Sequence, residues 1–256
     1  MGIFQAVGRG FSASIKFISV IIIFFVFNFL IGLAMLPFVG PENAGKPQAT
    51  AVTIVLSIIS VLVFIFLQGG VLGLIKDLLK NNSFSLSDFA ANGKKYYVKI
   101  MGLLIAILVV AFIMIIILAL ISSAVLAISN TTFTRALLTA IIIVISLVAV
   151  VLLLFPIYII ILEERGPVAA LKKGIRLGMK YFWKVLGLFL ALLIFAFLIA
   201  FVVGILTALI SGALPVKVGQ IIILFVNSLL QSYLSIVMMI AFMAYYLGLS
   251  PQEDLI

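Results

Sequence analysis

Few side chains in this sequence could take part in chemistry, and the commonest catalytic types are missing. The 256 residues include no histidine and no cysteine, which removes the usual general base, the usual nitrogen ligand for metals and every thiol nucleophile. Two carboxylates stand side by side, Glu163 and Glu164, and Arg165 follows them directly. Local ion pairing or a solvated helix end explains this pair. The sequence therefore predicts a protein that is not an enzyme, with no catalytic, cofactor or metal site.

Uncharged polar side chains inside long apolar runs form a second group of candidates. Asn227, Gln231 and Ser235 recur every four residues and so share one face of a helix. Gln68 lies in another apolar run. Hydrogen bonding between helices is the ordinary role of such residues, and lining a path for a substrate is the alternative. These four residues are the predicted intramembrane polar face.

The cations form a third group, because the sequence has 16 lysines and arginines against 7 acidic residues. One side of a helix carries the apolar residues Val168, Leu171, Ile175, Met179 and Phe182, and lysines and an arginine lie about a quarter turn away. That pattern is typical of a helix that lies in the headgroup layer of a membrane. The predicted lipid or partner interface comprises Lys94, Lys95, Lys99, Lys172, Lys173, Arg176, Lys180, Lys184 and the only tryptophan, Trp183.

Two roles fit this basic interface. The lysines could anchor helices at the membrane surface by extending their ammonium groups towards water, beside amphipathic aromatic rings. Alternatively, they could form a specific site for anionic lipid headgroups or for another membrane protein. The expected partners are thus membrane lipids, anionic on the cytoplasmic side, together with other membrane proteins, and no nucleic acid.

The elements that must position these residues are membrane-spanning helices. With 66% hydrophobic and 9% charged residues, the chain has too little polar surface for a soluble domain. About 20 apolar residues suffice for a helix to cross the hydrocarbon layer, and six runs reach that length. They cover residues 17–38, 51–75, 100–128, 136–162, 185–213 and 219–247. The sequence predicts an all-α integral membrane protein with six transmembrane helices.

The distribution of cations predicts the orientation of these helices. Only Lys46, Arg135 and Lys217 fall on one side of the membrane, and the other thirteen cations fall on the opposite side. Because lysine and arginine mark cytoplasmic ends, both termini are expected in the cytoplasm. The expected location is the cell membrane, with a multi-pass chain whose two termini are both cytoplasmic.

A short sequence motif, a glycine followed by five residues and then a lysine, is repeated along the chain. It begins at Gly93 and Gly178, with a weaker copy at Gly10, so that the intervals are 83 and 85 residues. Each interval holds one amphipathic approach helix and two spans, which is the pattern of tandem duplication. The chain is therefore predicted to form three tandem helical hairpins within a single transmembrane domain, 1–256. The predicted pseudo-repeats are 1–80, 81–165 and 166–256.

Residues at helix ends and bends support this division. Ser85–Asp88 and Ser250–Glu253 have the form of a capping box, and Pro167 suits the first turn of a helix. Pro156 should bend the fourth span, and the glycines in residues 68–73 should bend the second span at an equivalent depth.

The stretch from Pro156 to Leu193, "PIYIIILEERGPVAALKKGIRLGMKYFWKVLGLFLALL", resembles a known membrane domain. That domain is found alone in many prokaryotes and fused to some bacterial glycerophosphodiester phosphodiesterases. The resemblance rests on Pro156, Glu163, Gly166–Pro167, Ala170–Leu171, Gly174 and Gly178. It implies six or so spans in a prokaryotic cytoplasmic membrane and no established activity. The phosphodiesterase catalytic domain, with its acidic and histidine ligands, is not among these residues.

Three classes of function remain. A non-enzymatic multipass scaffold or accessory subunit, which interacts with lipids or with a membrane protein complex, fits the short loops and the missing catalytic groups. The alternative is a carrier or channel for a lipid or small solute, which would use the intramembrane polar face and the bends. An intramembrane enzyme fits least, because no paired acids and no serine with a base lie inside the apolar runs.

Overall fold

A computed structural model of the protein describes residues 1–39, 43 and 46–249. The second capping-box sequence, Ser250–Glu253, lies outside these residues. The regular secondary structure in the described part of the chain is entirely helical. It consists of α-helices, with short 3₁₀ segments after the first two. The α-helices are α1 Ile3–Ser14, α2 Ile18–Met35, α3 Pro47–Asn81, α4 Asp88–Ile128, α5 Thr132–Leu152, α6 Pro156–Glu163, α7 Pro167–Lys180, α8 Phe182–Gly212 and α9 Val216–Leu249.

Six helical segments are long and apolar enough to cross a membrane, which confirms the predicted fold class. Helices α1 and α2 form one such segment, and α5 and α6 form another. A helix satisfies its own backbone hydrogen bonds, so it is the form that an apolar run takes in lipid. The segments are Ile3–Phe38, Pro47–Asn81, Asp88–Ile128, Thr132–Glu163, Phe182–Gly212 and Val216–Leu249.

The predicted bends have different outcomes. The fourth span is interrupted, since α5 ends at Leu152 and α6 begins at Pro156; proline removes a backbone donor and obstructs the preceding turn. In the second span α3 runs without a break through Gly70, so the interruption at Pro156 has no counterpart there. Glycine keeps its N–H, so the helix continues, and the missing side chain serves packing instead. A Cβ built on Gly70 would lie 2.8 Å from the carbonyl oxygen of Phe89.

The two helix starts predicted at Ser85 and Pro167 also have different outcomes. Helix α7 begins at Pro167 as predicted. The cap predicted at Ser85 is wrong, because α4 begins at Asp88 and the Ser85 hydroxyl lies 2.7 Å from the hydroxyl of Ser87. Instead, the backbone N–H groups of Asp88 and Phe89 donate to the carbonyl oxygens of Ser85 and Leu86, which forms two turns at the start of the helix.

The chain packs as two compact units. The first unit comprises Met1–Lys94 and Gly187–Ile256, and the second comprises Lys95–Leu186. In the first unit α1 and α2 pack along α9, and α3 also contacts both α2 and α9. In the second unit α7 packs on α5 and α6. These packed helices carry the candidate functional residues of each unit.

Burial is concentrated near the cation-rich ends of the spans. In α9 the residues from Ile236 onwards are mostly buried, while the residues before Ser228 are mostly exposed. In α4 the buried side chains are Tyr96, Ile100 and Leu103, and none of the described side chains beyond Leu103 in that helix is buried. The opposite halves of these helices therefore present their apolar side chains to lipid.

The glycine of the repeated motif lies in a close contact in each copy. The contact is with a backbone carbonyl oxygen at Gly10, with an aromatic ring at Gly93, and with a leucine side chain and its Cα at Gly178. A Cβ atom would lie 2.7 Å from Val237 if built on Gly10, 2.8 Å from Phe66 if built on Gly93, and 3.0 Å from Leu152 if built on Gly178. The partner positions 66, 152 and 237 are spaced by 86 and 85 residues, close to the spacing of the glycines themselves. Small residues let helix backbones approach in this way. A close contact at each of the three glycines fits tandem hairpins, although the contacted atoms differ, and the repeat boundaries stay a prediction.

Candidate functional site

Helix α7 carries the predicted basic interface in the second unit, and one of its faces is fixed to the protein. Gly166 precedes the helix and Pro167 opens it. The side of α7 centred on Gly174 packs against α6, where a Cβ on Gly174 would lie 2.6 Å from the ring of Pro156. The buried residues of this face are Ala170, Leu171, Gly174, Leu177 and Gly178.

The opposite side of α7 is exposed and basic. Lys172, Arg176 and Lys180 recur every four residues and are all exposed; we call these three the α7 cationic face. Val168 and Met179 lie along one edge of this face, with 59% and 60% of their surface exposed. Apolar side chains beside an exposed row of cations give the helix the two surfaces that a headgroup layer accommodates.

The apolar stripe predicted for α7 divides in the structure. Val168 and Met179 are exposed, as a membrane-facing side requires, but Leu171 is buried. Hydropathy could not separate them, because protein-facing and lipid-facing positions are both apolar in a membrane helix. Trp183, just beyond α7, is 79% exposed, which suits an aromatic side chain at the interface.

Lys173 lies at the edge of the α7 cationic face and pairs with a carboxylate. Its Nζ lies 2.8 Å and 3.0 Å from the two carboxylate oxygens of Glu163. Arg165 Nε donates to the same carboxylate at 2.7 Å, so the predicted local ion pairing is confirmed. The side chains of Lys173 and Glu163 are each only 21% exposed, and the pair therefore joins α7 to the end of α6.

Two other predicted interface lysines hold the same helix end. Glu164 has a left-handed backbone, with φ of 55°, which ends α6. Lys95 Nζ lies 2.7 Å from Oε1 of Glu164, and Lys99 Nζ donates to the Glu164 carbonyl oxygen at 2.8 Å. Cations are favoured at a helix C-terminus, where the backbone carbonyls carry partial negative charge. Tyr96 OH lies 3.5 Å from the same Oε1 atom.

The remaining predicted cations have different surroundings. Lys180 and Lys184 lie over the ring of Tyr181, at 5.4 Å and 5.5 Å from its centroid. Lys94 is exposed and belongs to the first unit. Three of the predicted lysines, Lys95, Lys99 and Lys173, thus tie helices together within the second unit, and the α7 cationic face stays open to a ligand.

The predicted intramembrane polar face is only partly enclosed. Asn227 and Gln231 of α9 are exposed, and Ser235 and Gln68 are half-buried. The interhelical hydrogen bond expected of this face is made by another residue of α9, since Asn28 of α2 donates to Ser232 Oγ at 2.9 Å. These two residues are 204 positions apart, and nothing in the sequence pairs them.

A groove separates α8 from α9 near Asn227. Residues of both helices line a cavity of about 550 Å³. The hydroxyls of Thr207 and Ser211 donate to backbone carbonyls of their own helix, at 2.7 Å and 3.3 Å. The carboxamides of Gln220 and Asn227 are therefore the polar side-chain groups available to a ligand in the groove. The lining includes Gly204, Thr207, Ala208, Ser211, Gln220 and Asn227.

The helices and their sites define an all-helical, multi-pass membrane protein. Within residues 1–39, 43 and 46–249, no group of three acidic residues is arranged to hold a metal ion. The chain belongs to the family described as a domain of unknown function, DUF7847, which it matches over residues 1–249. Comparison with curated proteins and with solved structures found no match. The family match does not bear on the resemblance to the phosphodiesterase membrane domain, which stays a prediction.

Proposed function

We propose that this protein is a non-enzymatic membrane scaffold or accessory subunit that gathers anionic lipids at its cation-rich side through α7. The observation that carries the proposal is the α7 cationic face, which stays exposed while the neighbouring Lys173 is paired with Glu163. A helix fixed to the protein on one side, with exposed cations and an exposed apolar edge on the other, is suited to the boundary between headgroups and acyl chains.

The strength of this attraction can be worked out from the charges. Each basic residue near an anionic membrane surface contributes about 1 kcal/mol. Lys172, Arg176 and Lys180 would together contribute about 3 kcal/mol, or roughly a 100-fold preference for anionic over neutral lipid. Because these side chains are exposed, salt should reduce the preference. Enrichment of this size is enough to hold an anionic lipid layer against α7 without an enclosed binding pocket.

Retained lipids provide the test. The variant K172Q/R176Q/K180Q should lose most of the anionic lipid that the wild-type protein keeps after gentle solubilisation, as measured by native mass spectrometry. The matched control is K46Q/R135Q/K217Q, which removes three exposed cations from the opposite side of the membrane. Circular dichroism checks that both variants keep their helices.

Equal lipid retention in the two variants would contradict the lipid part of the proposal. If the α7 variant keeps its anionic lipids but loses a co-purifying membrane protein, the face is a docking surface for that protein. The accessory-subunit function would then stand without the lipid function.

A carrier or channel for a lipid or small solute is the second candidate, and the groove between α8 and α9 favours it. The groove offers the carboxamides of Gln220 and Asn227 at an apolar surface. A transport path must continue through the membrane, however, and α9 is packed against α1 and α2 in its buried half from Ile236. This packing supports the scaffold over the carrier. The resemblance to membrane domains fused to phosphodiesterases fits either function and distinguishes neither.

A further inference from the structure

We propose that a second copy of the protein docks on the face formed by α8 and α9, with Asn227 of each copy hydrogen-bonded to its counterpart across a twofold axis. This inference is independent of the lipid-binding face on α7. It starts from the position of one polar side chain in the membrane.

Asn227 lies at the depth of the hydrocarbon layer. It follows Val216, the first residue of α9, by 11 positions, which is about 17 Å along a helix. The hydrocarbon layer is about 30 Å thick, so the carboxamide is close to its middle. Exposed apolar side chains flank it along the helix, with Phe225 and Leu229 each 44% exposed.

The carboxamide of Asn227 has no hydrogen-bond partner among residues 1–39, 43 and 46–249, and the same holds for the exposed Gln231 one turn further on. An unpaired amide in hydrocarbon costs several kcal/mol. The contrast is Asn28 in the same unit, whose amide is satisfied by Ser232 at 2.9 Å. Acyl chains cannot supply a donor or an acceptor, so lipid alone does not satisfy this face.

The neighbouring helix leaves room for an incoming helix. Gly204, Ala208 and Gly212 recur every four residues on α8 and line the cavity of about 550 Å³. A Cβ atom built on Gly204 or Gly212 would meet nothing within 4 Å. Small residues at this spacing let a second helix approach the backbone closely, and polar side chains across the contact strengthen it. The groove therefore offers both the space and the polar group of an interface between membrane helices.

A second copy meets these requirements in the simplest way. A carboxamide has both a donor and an acceptor, so it is complementary to another carboxamide. Copies inserted in the same orientation are related by a twofold axis along the membrane normal, which places each residue at the depth of its counterpart. Asn227 of the second copy thus lies at the required depth. A different protein would need a polar group at that same depth.

Cysteine cross-linking tests this interface, because the chain has no cysteine of its own. The variant Ile223→Cys places a thiol on the groove-lining face of α9, one turn from Asn227. Oxidation in native membranes should give a covalent dimer from I223C. The control Ile113→Cys, on the exposed surface of α4, should give none. Adding Asn227→Leu to I223C should abolish the dimer. Because Asn227 has no partner among the described residues of its own chain, this change should leave the fold intact.

Light scattering on the purified protein gives an independent measurement. The wild-type protein should have the mass of two chains, and N227L should have the mass of one. A wild-type mass of one chain, or a two-chain mass that persists in N227L, would overturn the proposal. Rapid labelling of I223C by a membrane-impermeant thiol reagent would also overturn it, because water would then satisfy the carboxamide. That result would favour the carrier function.

Discussion

The contact between α1 and α9 can be tested with two glycines of the same helix. Gly8 and Gly10 both lie inside α1. A Cβ atom built on Gly10 would lie 2.7 Å from the carbonyl oxygen of Val237 and 3.1 Å from Cβ of Ala241, whereas one built on Gly8 meets nothing within 4 Å. Replacing each glycine by alanine therefore adds the same methyl group to one packed and one open position.

The expected effect follows from these distances. Ordinary contact begins at 3.4 Å, so Gly10→Ala must move the helices apart by about 0.7 Å or distort them, and overpacking of this kind costs about 1–3 kcal/mol. Alanine also stabilises a helix by about 1 kcal/mol relative to glycine. That gain is common to both variants. The difference between Gly8→Ala and Gly10→Ala should therefore be about 1–3 kcal/mol, with the Gly10 variant less stable.

Unfolding in detergent micelles titrated with sodium dodecyl sulfate, followed by circular dichroism, measures this difference in the free energy of unfolding. If Gly10→Ala is as stable as Gly8→Ala, then α1 does not pack on α9 at Gly10. The set of close contacts at Gly10, Gly93 and Gly178 would then lose its first member, and the three-repeat prediction would weaken with it.

Three further predictions concern ion pairing, hydrogen bonding and orientation. Replacing Lys173 by Gln should lower the free energy of unfolding by about 1–3 kcal/mol, because it removes a charged partner from the largely buried Glu163 carboxylate. The same change at the exposed Lys172 should cost less than about 0.5 kcal/mol, and equal costs would contradict the pairing. Replacing Asn28 by Leu should cost about 0.6–1.7 kcal/mol through the lost bond to Ser232, and an unchanged unfolding midpoint would refute that bond. A reporter that works only in the cytoplasm should be active at the C-terminus, and activity of a periplasmic reporter there would reverse the orientation.

The features that sequence could predict are those set by local chemistry. Long apolar runs specify spanning helices in any packing arrangement, because lipid requires internal backbone hydrogen bonds. Pro156 breaks its span and Pro167 starts α7 through the fixed geometry of the proline ring. Glu163 pairs with Arg165 only two positions away. Each of these outcomes depends on residues within about one helical turn.

The features that sequence could not predict depend on residues far apart along the chain. Lys95 reaches Glu164 across 69 positions, so a lysine expected at a lipid surface is ion-paired within the protein. Leu171 and Val168 have the same apolar character, yet one is buried and the other is exposed. In a soluble protein both side chains would be expected in the core, but in a bilayer the protein-facing and lipid-facing environments are both apolar. Helix orientation is set by close contacts, such as those of the repeated glycines, which hydropathy does not record.

The most direct test of the proposed lipid-binding face uses Trp183, which is the only tryptophan in the chain and is 79% exposed beside α7. Brominated lipids quench tryptophan fluorescence at short range, so they report which lipids surround this residue. In mixed vesicles at low salt, a brominated anionic lipid should quench Trp183 more strongly than the same fraction of a brominated zwitterionic lipid. The preference should fall in high salt and in K172Q/R176Q/K180Q. Equal quenching by the two lipids would contradict the proposal that α7 gathers anionic lipids.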